Sequence, residues 1–413
     1  MIRKLLSFVI IAFFPQILQA QQVLGFALQE GRNKVRIPIE VNNNLVVIPV
    51  VINGQLPLKF ILDTGVRTAI LTEKVFSDIL NLTYTRKYTV GGPGGQKFVQ
   101  AYVTNNVSLD LPPGVHGEGH ALLVLEEDYL ELRNYLGADV QGILGYELFS
   151  RFIVTIDYEK KELILTRPEK FRPKRNMQRL SISVEDTKPY IVTRVTVRDT
   201  TSVKVKLLID SGASHGLILE PDSNDTIRVP QAHVNSIIGR GLGGIITGKI
   251  GRIAAVDLGK YDVRNVIANF PDPNSYMDTL KTSRSVRRNG AIGGEILSRF
   301  KVTFDFPKEH IYLKKNSQFK KKFYYNMSGL TLKAKGSRLE HFEISDVREK
   351  SPAEFAGIKP GDMVLTINGI EAAEMDLNQI NAFFNMRPGK RIILEIDRGG
   401  ERVKKEFRLE SQI

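Results

Sequence analysis

Two short triplets in this sequence combine residue types that can carry out acid–base chemistry. Asp63-Thr64-Gly65 follows an apolar run at 60–62, and Asp210-Ser211-Gly212 follows one at 207–209. In such a triplet the glycine permits a tight turn and the hydroxyl stabilises it by a hydrogen bond, so the aspartate lies at the lip of a core. Two carboxylates brought together cannot both ionise easily, so the pair offers one acid and one base. Such a pair can activate a water and protonate an amide nitrogen without a metal or covalent intermediate.

One triplet alone is weak evidence, because these residues occur together in many loops. A second segment is also repeated: Gly142–Phe152 returns as Gly290–Phe300 with six of eleven residues identical. The spacing from each aspartate to its downstream glycine is 79 residues in the first copy and 80 in the second. The order and spacing of the motifs indicate a duplicated domain. An approximate two-fold axis between the copies would bring Asp63 and Asp210 together.

The elements that must position the two aspartates follow the same order in each copy. We expect a leading strand, an apolar strand that ends at the aspartate, a glycine-rich turn, a short helix and a closing strand, separated between the copies by the proline-containing linker Arg167–Arg175. In the first copy the predicted leading strand is Leu45–Ile52, the turn Gly91–Gly95 and the helix Glu147–Phe152. In the second copy they are Tyr190–Val197, Gly239–Gly244 and Glu295–Phe300.

The repeated motifs resemble those of the pepsin and retroviral-type aspartic peptidases over roughly Leu45–Lys314. In that family an apolar-Asp-Thr/Ser-Gly loop carries the catalytic aspartate, and a later apolar-apolar-Gly segment packs beside it. Ile143-Leu144-Gly145 and Ala291-Ile292-Gly293 are similar to that segment. The resemblance implies a mainly β fold with two pseudo-two-fold-related, retropepsin-like β-barrel lobes fused into one chain.

The resemblance also assigns roles to residues of the two loops. Asp63 and Asp210 would be catalytic and share a water. The supporting residues would be those that brace or shape the loops, namely Thr64, Gly65, Ser211, Gly212 and Ser214. One of the two glycine-rich turns would be a flap that closes over substrate.

The first loop departs from the family pattern at Arg67, where members usually carry a small hydroxyl residue, as Ser214 does in the second loop. Three alternatives stay open at this point. Arg67 pairs with a carboxylate and lowers its pKa, or it points to solvent and Thr68 takes the place of the hydroxyl. The third alternative is a damaged dyad in a protein that only binds peptides.

The last ninety or so residues follow another pattern. Ser351–Asp362 reads as a capped short helix, a glycine stop and a Pro-Gly turn, followed by the strand Met363–Ile367 and the turn signal Asn368-Gly369. This ordered string is similar to a PDZ domain. By that resemblance the peptide-carboxylate loop would be formed by Met327, Ser328, Gly329 and Leu330, and a peptide would add as a strand beside it. The alternative is a rigid cap with an empty groove.

The start of the chain predicts export. Residues 1–20 read as a signal peptide, with Arg3 and Lys4 before the apolar run Leu5–Phe14 and a cleavage site at Ala20. We therefore expect a periplasmic or extracellular protein without a transmembrane anchor. The net charge of +13 is spread along the chain, so we interpret it as solvated surface and predict no nucleic-acid partner.

The remaining composition excludes several kinds of site. There is no cysteine, which removes disulfides, thiol nucleophiles and zinc–thiolate sites. The six histidines show no spacing like His-Glu-x-x-His, and no Gly-x-Ser-x-Gly elbow supports a serine triad. We predict neither a metal nor another cofactor.

The sequence thus predicts an exported aspartic endopeptidase that acts on peptide or protein substrates. A monomer suffices because one chain supplies both aspartates, and its PDZ domain would bind C-terminal peptides. The alternative is a catalytically inactive peptide-binding or scaffold protein. The predicted ranges are 1–20 for the signal peptide, 23–175 and 176–318 for the two lobes, and 322–413 for the PDZ domain.

Overall fold

The structure, a computed structural model, describes residues 24–94, 98–198, 201–273 and 286–413. The predicted signal peptide lies outside these ranges. The prediction of a mainly β protein is confirmed, since most elements of the described chain are strands and its helices are short. No helix in the described ranges is long and apolar enough to cross a membrane.

The first lobe packs alternating or fully apolar strands around buried apolar clusters. Its main sheet has the order β3-β4-β5-β12-β6-β11-β8-β7, with β9 on β4, while β1 pairs with β10. The elements of this lobe are β1 Gly25–Leu28, β2 Lys34–Pro38, β3 Glu40–Asn42, β4 Leu45–Ile52, β5 Leu56–Leu62, β6 Ala69–Leu71, α1 Lys74–Ile79, β7 Tyr84–Val90, β8 Val99–Val107, β9 Leu109–Asp110, β10 Val115–Glu118, β11 His120–Leu125, α2 Leu132–Leu136, β12 Gly142–Leu144, α3 Tyr146–Arg151, β13 Ile153–Asp157, β14 Glu162–Thr166 and the 3-10 turn Pro168–Lys170.

The second lobe repeats this arrangement with longer strands. Its main sheet has the order β16-β17-β18-β23-β19-β22-β21-β20. The elements are β15 Gln178–Ser181, β16 Ser183–Glu185, β17 Lys188–Thr196, β18 Ser202–Ile209, β19 Leu217–Leu219, the 3-10 turn Pro221–Ser223, β20 His233–Gly241, β21 Gly244–Leu258, β22 Tyr261–Pro271, β23 Gly290–Ile292, α4 Gly294–Leu297, β24 Phe300–Asp305, β25 His310–Lys315 and the 3-10 turn Ser317–Lys320.

A shared sheet joins the two lobes. Its order is β15-β25-β24-β13-β14-β2, so the closing strands β13 and β24 pair with each other across the lobe boundary. Thr155 lies opposite Thr303 in this pairing, and their hydroxyl oxygens are 2.8 Å apart. Phe149 packs edge-on against Phe304 with ring centroids 5.2 Å apart. The lobes therefore share both a sheet and an apolar core.

The C-terminal region forms a separate sheet with two short helices. The strand order is β26-β27-β28-β30-β31, with β29 on β28, so β26 is an edge strand. Its elements are β26 Leu330–Lys335, β27 His341–Val347, α5 Pro352–Phe355, β28 Met363–Ile367, β29 Ile370–Glu371, the 3-10 turn Ala372–Glu374, α6 Leu377–Phe384, β30 Arg391–Arg398 and β31 Glu401–Arg408. Ser351 caps α5, and Asp376 with Gln379 forms a capping box on α6.

Candidate active site

Both Asp-Thr/Ser-Gly loops are held in the same way by the strand that follows later in the same lobe. Strand β12 runs parallel to β5, and β23 runs parallel to β18. The amide of Asp63 donates to the Leu144 carbonyl at 2.9 Å, and the amide of Asp210 donates to the Ile292 carbonyl at 2.8 Å. Each aspartate therefore leaves its strand at a fixed point beside the repeated glycine segment.

The loop hydroxyls join the two lobes by reciprocal hydrogen bonds. Thr64 Oγ1 donates to the Ile209 carbonyl at 2.6 Å and accepts from the Ser211 amide at 3.1 Å. Ser211 Oγ donates to the Leu62 carbonyl at 2.8 Å and accepts from the Thr64 amide at 3.0 Å. Thr64 and Ser211 are both fully buried. We call this set of four hydrogen bonds the loop grip. It fixes the two loops against each other far more rigidly than two surface contacts would.

The loop grip places the carboxylate of Asp63 against Gly212 of the second aspartate loop. Asp63 Oδ1 accepts from the Gly65 amide at 2.6 Å, and Asp210 Oδ1 accepts from the Gly212 amide at 3.0 Å. A Cβ added to Gly212 would lie only 2.2 Å from Asp63 Cγ. Glycine is therefore needed at Gly212 because the opposite carboxylate occupies the space of a side chain.

Burial and nearby charges shift the pKa of both aspartates. Burial and the negative charge of Asp210 raise the pKa of Asp63 to about 7. Burial also raises the pKa of Asp210, although the nearby charges of Arg288 and Lys188 oppose this shift. The charge of Lys188 opposes the shift of both aspartates, whereas that of Arg288 acts on Asp210 alone and favours its ionised form. Two neighbouring carboxyls with raised pKa values keep a proton to higher pH than free aspartates do, so the pair can offer both an acid and a base.

Two family models match this chain. Residues 48–148, which include the first aspartate loop, match the model of aspartyl proteases, and residues 343–398 match the model of PDZ domains. The chain carries an aspartyl protease domain and a PDZ domain. The two resemblances that the sequence motifs indicated are therefore confirmed.

Two curated relatives match a short part of the chain. A putative zinc metalloprotease of Agrobacterium fabrum is 36% identical over 61 residues, which is 15% of this chain and 16% of that protein. The carboxy-terminal processing protease CtpB of Bacillus subtilis is 38% identical over 61 residues, or 15% of this chain and 13% of that protein. The match thus spans about one seventh of each relative.

In the protease domain Arg67 does not stand beside the dyad. Its guanidinium lies 3.9 Å from the carboxylate of Asp186, and the side chains of Arg67 and Asp186 are 72% and 70% exposed. An ion pair so exposed contributes little to stability. The equivalent Ser214 accepts a hydrogen bond on its carbonyl from Asn44 Nδ2 at 3.3 Å. Of the alternatives for Arg67, the geometry favours the one in which it points to solvent.

Two charged residues near the dyad were missed by the sequence motifs. Lys188 starts β17 and acts on both aspartates, while Arg288 precedes β23 and acts on Asp210. Arg288 also pairs with Glu220 at 3.2 Å. We interpreted the positive charge of the chain, to which the basic run at 284–288 contributes, as solvated surface, so it did not indicate these residues. Among the residues that the structure describes, neither has a charged counterpart that acts on the pair from the first lobe, so sequence symmetry could not identify them.

The glycine-rich turns of the two protease lobes meet at their tips. The Gly243 amide donates to the Pro93 carbonyl at 2.9 Å. A Cβ on Gly94 would lie 2.1 Å from the Gly244 carbonyl oxygen, so the backbones are in direct contact. Leu242, at the tip of the second turn, packs on the same apolar cluster as Val66 of the first aspartate loop. We call residues 239–244 the second turn.

The predicted carboxylate loop of the PDZ domain has acceptors for its amides within the domain. The amides of Ser328 and Gly329 both donate to Asn326 Oδ1 at 3.1 Å, and the Leu330 amide donates to Ser328 Oγ at 3.1 Å. The Met327 amide donates to the Phe384 carbonyl. Since Asn326 already occupies two of these donors, a peptide carboxylate would have to compete with its side chain.

Proposed function

We propose that this protein is an exported aspartic endopeptidase, in which Asp63 and Asp210 activate water for hydrolysis of a peptide bond. The loop grip is the observation that carries the proposal, because it joins two half-sites from different lobes into one rigid pair of carboxylates. Positioning of this kind is what general acid–base catalysis requires.

The proposed chemistry assigns a different task to each aspartate. Ionised Asp210 takes a proton from the water between the carboxyls while the water oxygen bonds to the peptide carbonyl carbon. Protonated Asp63 gives its proton to the carbonyl oxygen, which becomes a hydroxyl. When the tetrahedral intermediate collapses, the C–N bond breaks, Asp210 gives its proton to the amide nitrogen, and Asp63 takes back the hydroxyl proton.

The meeting glycine-rich turns would serve as flaps above the substrate. Their direct backbone contact supports a closed arrangement, and separation of the tips would admit a peptide. Closure over the reacting groups would exclude bulk water and strengthen the electrostatic interactions of the dyad.

The proposed setting is the periplasm or the cell exterior. It is supported by the predicted signal peptide. The PDZ domain would bind peptide or protein segments, which is the general property of such domains. We propose no metal or cofactor, because the two carboxyls supply the acid and the base that the reaction needs.

The decisive test compares the wild type with Asp63→Asn and Asp210→Asn on a mixed peptide library analysed by mass spectrometry. We expect the wild type to cleave and each variant to lose roughly 10³-fold in rate, the range typical of positioned acids and bases. Asn is nearly isosteric with Asp, so thermal melting should show that both variants fold. Equal cleavage by all three proteins would reject the proposal and favour a peptide-binding role.

The pH profile provides an independent check. The acid role requires a proton on the pair, and the pKa of Asp63 is about 7. We therefore expect kcat/KM to fall as pH rises through about 7, where the last shared proton is lost. A rate that keeps rising to pH 9 would contradict the assignment.

A further inference from the structure

The edge strand of the PDZ domain is already covered by the first protease lobe. An edge strand offers unpaired backbone groups to which an extended peptide can add. The Ala334 carbonyl of β26, however, accepts from Asn134 Nδ2 at 2.8 Å, and the Gly336 carbonyl, just beyond the end of β26, accepts from Arg133 Nη1 at 3.2 Å. Both donors belong to α2. Helix α2 therefore lies against the C-terminal end of the edge strand β26, in the path of an added strand.

The first lobe also reaches the helix that packs beside β26. A Cβ on Gly137 would lie 2.5 Å from Cβ of Leu377, the first residue of α6. The Asn43 amide donates to Asn378 Oδ1 at 3.1 Å. Contacts to both β26 and α6 show that the segment 131–137, which we call the connecting segment, closes the groove between them.

The same connecting segment contacts the second turn. Arg240 Nη2 donates to the Tyr135 hydroxyl at 2.6 Å, and its guanidinium lies 4.5 Å from the centre of the Tyr135 ring. Arg240 Nη1 is also 3.7 Å from the Glu131 carboxylate. Arg240 thus links the second turn to the connecting segment.

A cation of the PDZ domain completes this cluster. Lys333 Nζ, on β26, lies 2.8 Å from the Glu131 carboxylate and 4.9 Å from the centre of the Tyr135 ring. Glu131 and Tyr135 therefore lie between a lysine of the PDZ domain and an arginine of the second turn. The side chains of Lys333, Arg240 and Glu131 are only 20%, 27% and 35% exposed, so solvent screens these charges less than at an open surface.

We propose that the connecting segment is an intramolecular occupant of the PDZ groove and ties the second turn in its closed position. A strand can add to β26 only after the connecting segment has left. Its departure also removes the partners of Arg240, so occupation of the PDZ edge by an extended peptide and closure of the second turn exclude each other. Control of turnover by this contact rests on the proposed peptidase function, but the coupling itself does not.

Hydrogen–deuterium exchange of the full chain tests the coupling without turnover. The amides of 236–248 are followed in the Asp63→Asn background, together with Lys333→Ala, Lys333→Arg and Arg391→Ala. Arg391 pairs with Glu406 within the PDZ sheet and serves as the matched control. We expect Lys333→Ala to raise exchange in the second turn roughly fivefold, as loss of a half-buried cation would. Lys333→Arg and Arg391→Ala should leave it near the starting rate.

A binding measurement tests the occupied groove. A pool of random nonapeptides with free carboxyl ends is offered to the starting protein and to the double variant Arg133→Ala with Asn134→Ala, and retained peptides are quantified by mass spectrometry. We expect the double variant to retain several-fold more peptide. Equal retention overturns the proposal for the groove, and equal exchange in Lys333→Ala and Arg391→Ala overturns the coupling. Cleavage of the library by the wild type is scored separately, so failure of this inference and failure of the peptidase proposal are distinguishable.

Discussion

The two protease lobes carry equivalent Asp-Thr/Ser-Gly loops but differ in the residues that surround these loops. Each aspartate amide donates to the equivalent carbonyl of its own lobe, at 2.9 Å for Asp63 and 2.8 Å for Asp210. The positive charges that act on the pair nevertheless come from the second lobe, at Lys188 and Arg288. The duplication therefore preserves the positions of the two carboxyls, while Arg288, which acts on Asp210 alone, makes their electrostatic surroundings different.

A second difference lies at the equivalent arginines of the repeated helix. Arg151 is exposed and donates to the Leu24 carbonyl at 2.8 Å. Arg299 is buried, donates to the carbonyls of Gln318 and Lys321, and lies 3.4 Å from the centre of the Phe323 ring. Arg151 thus contacts the residue that precedes β1, whereas Arg299 anchors the segment that leads to the PDZ domain.

The largest contrast is expected between Arg299→Met and Arg151→Met. Arg299→Met removes the hydrogen bonds of a buried guanidinium to the carbonyls of Gln318 and Lys321 and its contact with Phe323, which we expect to cost about 3 kcal/mol in the free energy of unfolding. Arg151→Met should cost less than about 1 kcal/mol because that side chain is exposed. Urea unfolding of the full chain measures both, and equal losses would show that the two arginines are equivalent after all.

The loop grip should give equal effects in the two lobes. Thr64→Val leaves the buried Ser211 amide without its acceptor, and Ser211→Ala does the same to the Thr64 amide. We expect each to lower the free energy of unfolding by roughly 1–3 kcal/mol, and the double variant to lose less than the sum. A much larger effect from one variant would break the symmetry of the grip. Thermal or urea unfolding decides between these outcomes.

The charge difference should appear in the acid limb of the pH profile. Arg288 favours the ionised form of Asp210, so Arg288→Gln raises the pKa of Asp210. In the proposed mechanism Asp210 must be ionised to act as the base, so we expect the acid limb of kcat/KM to move to higher pH. Arg67→Gln, the matched control from the first lobe, should leave that limb in place. A shift in the control but not in Arg288→Gln would reverse the assignment of acid and base.

The smallest effect is expected from Arg67→Ser, which gives the first loop the residue type of the second. Since the Arg67 contact to Asp186 is long and exposed, we expect a change in the free energy of unfolding below about 0.5 kcal/mol. Peptidase activity should stay within roughly twofold of the wild type. A large loss would show that Arg67 acts on the dyad directly.

The sequence predicted the parts of the site that are local and repeated. Asp63 and Asp210 could be found because their triplets recur at matched spacing. The short helices of the two lobes lie within a few residues of their predicted bounds, and the PDZ strand Met363–Ile367 has the bounds predicted. Turn and cap residues act over short distances, so their patterns can be recognised in the sequence.

Long-range pairing could not be predicted in the same way. We expected β13 and β24 to close their own lobes, but they also pair with each other at Thr155 and Thr303. Alternation identifies a strand and its faces without naming its neighbour. Lys188 and Arg288 act on the dyad from distant positions in the sequence, and no pattern linked the connecting segment to the PDZ edge.

The facing pair of Thr155 and Thr303 has a consequence for how the dyad assembles. Two equivalent residues opposite each other are the geometry of a two-fold contact between identical subunits. Here the linker Arg167–Arg175 joins the two halves, and a short tether holds its ends at an effective concentration of about millimolar. Formation of the aspartate pair is therefore a first-order event, and dilution of the protein should leave its specific activity unchanged.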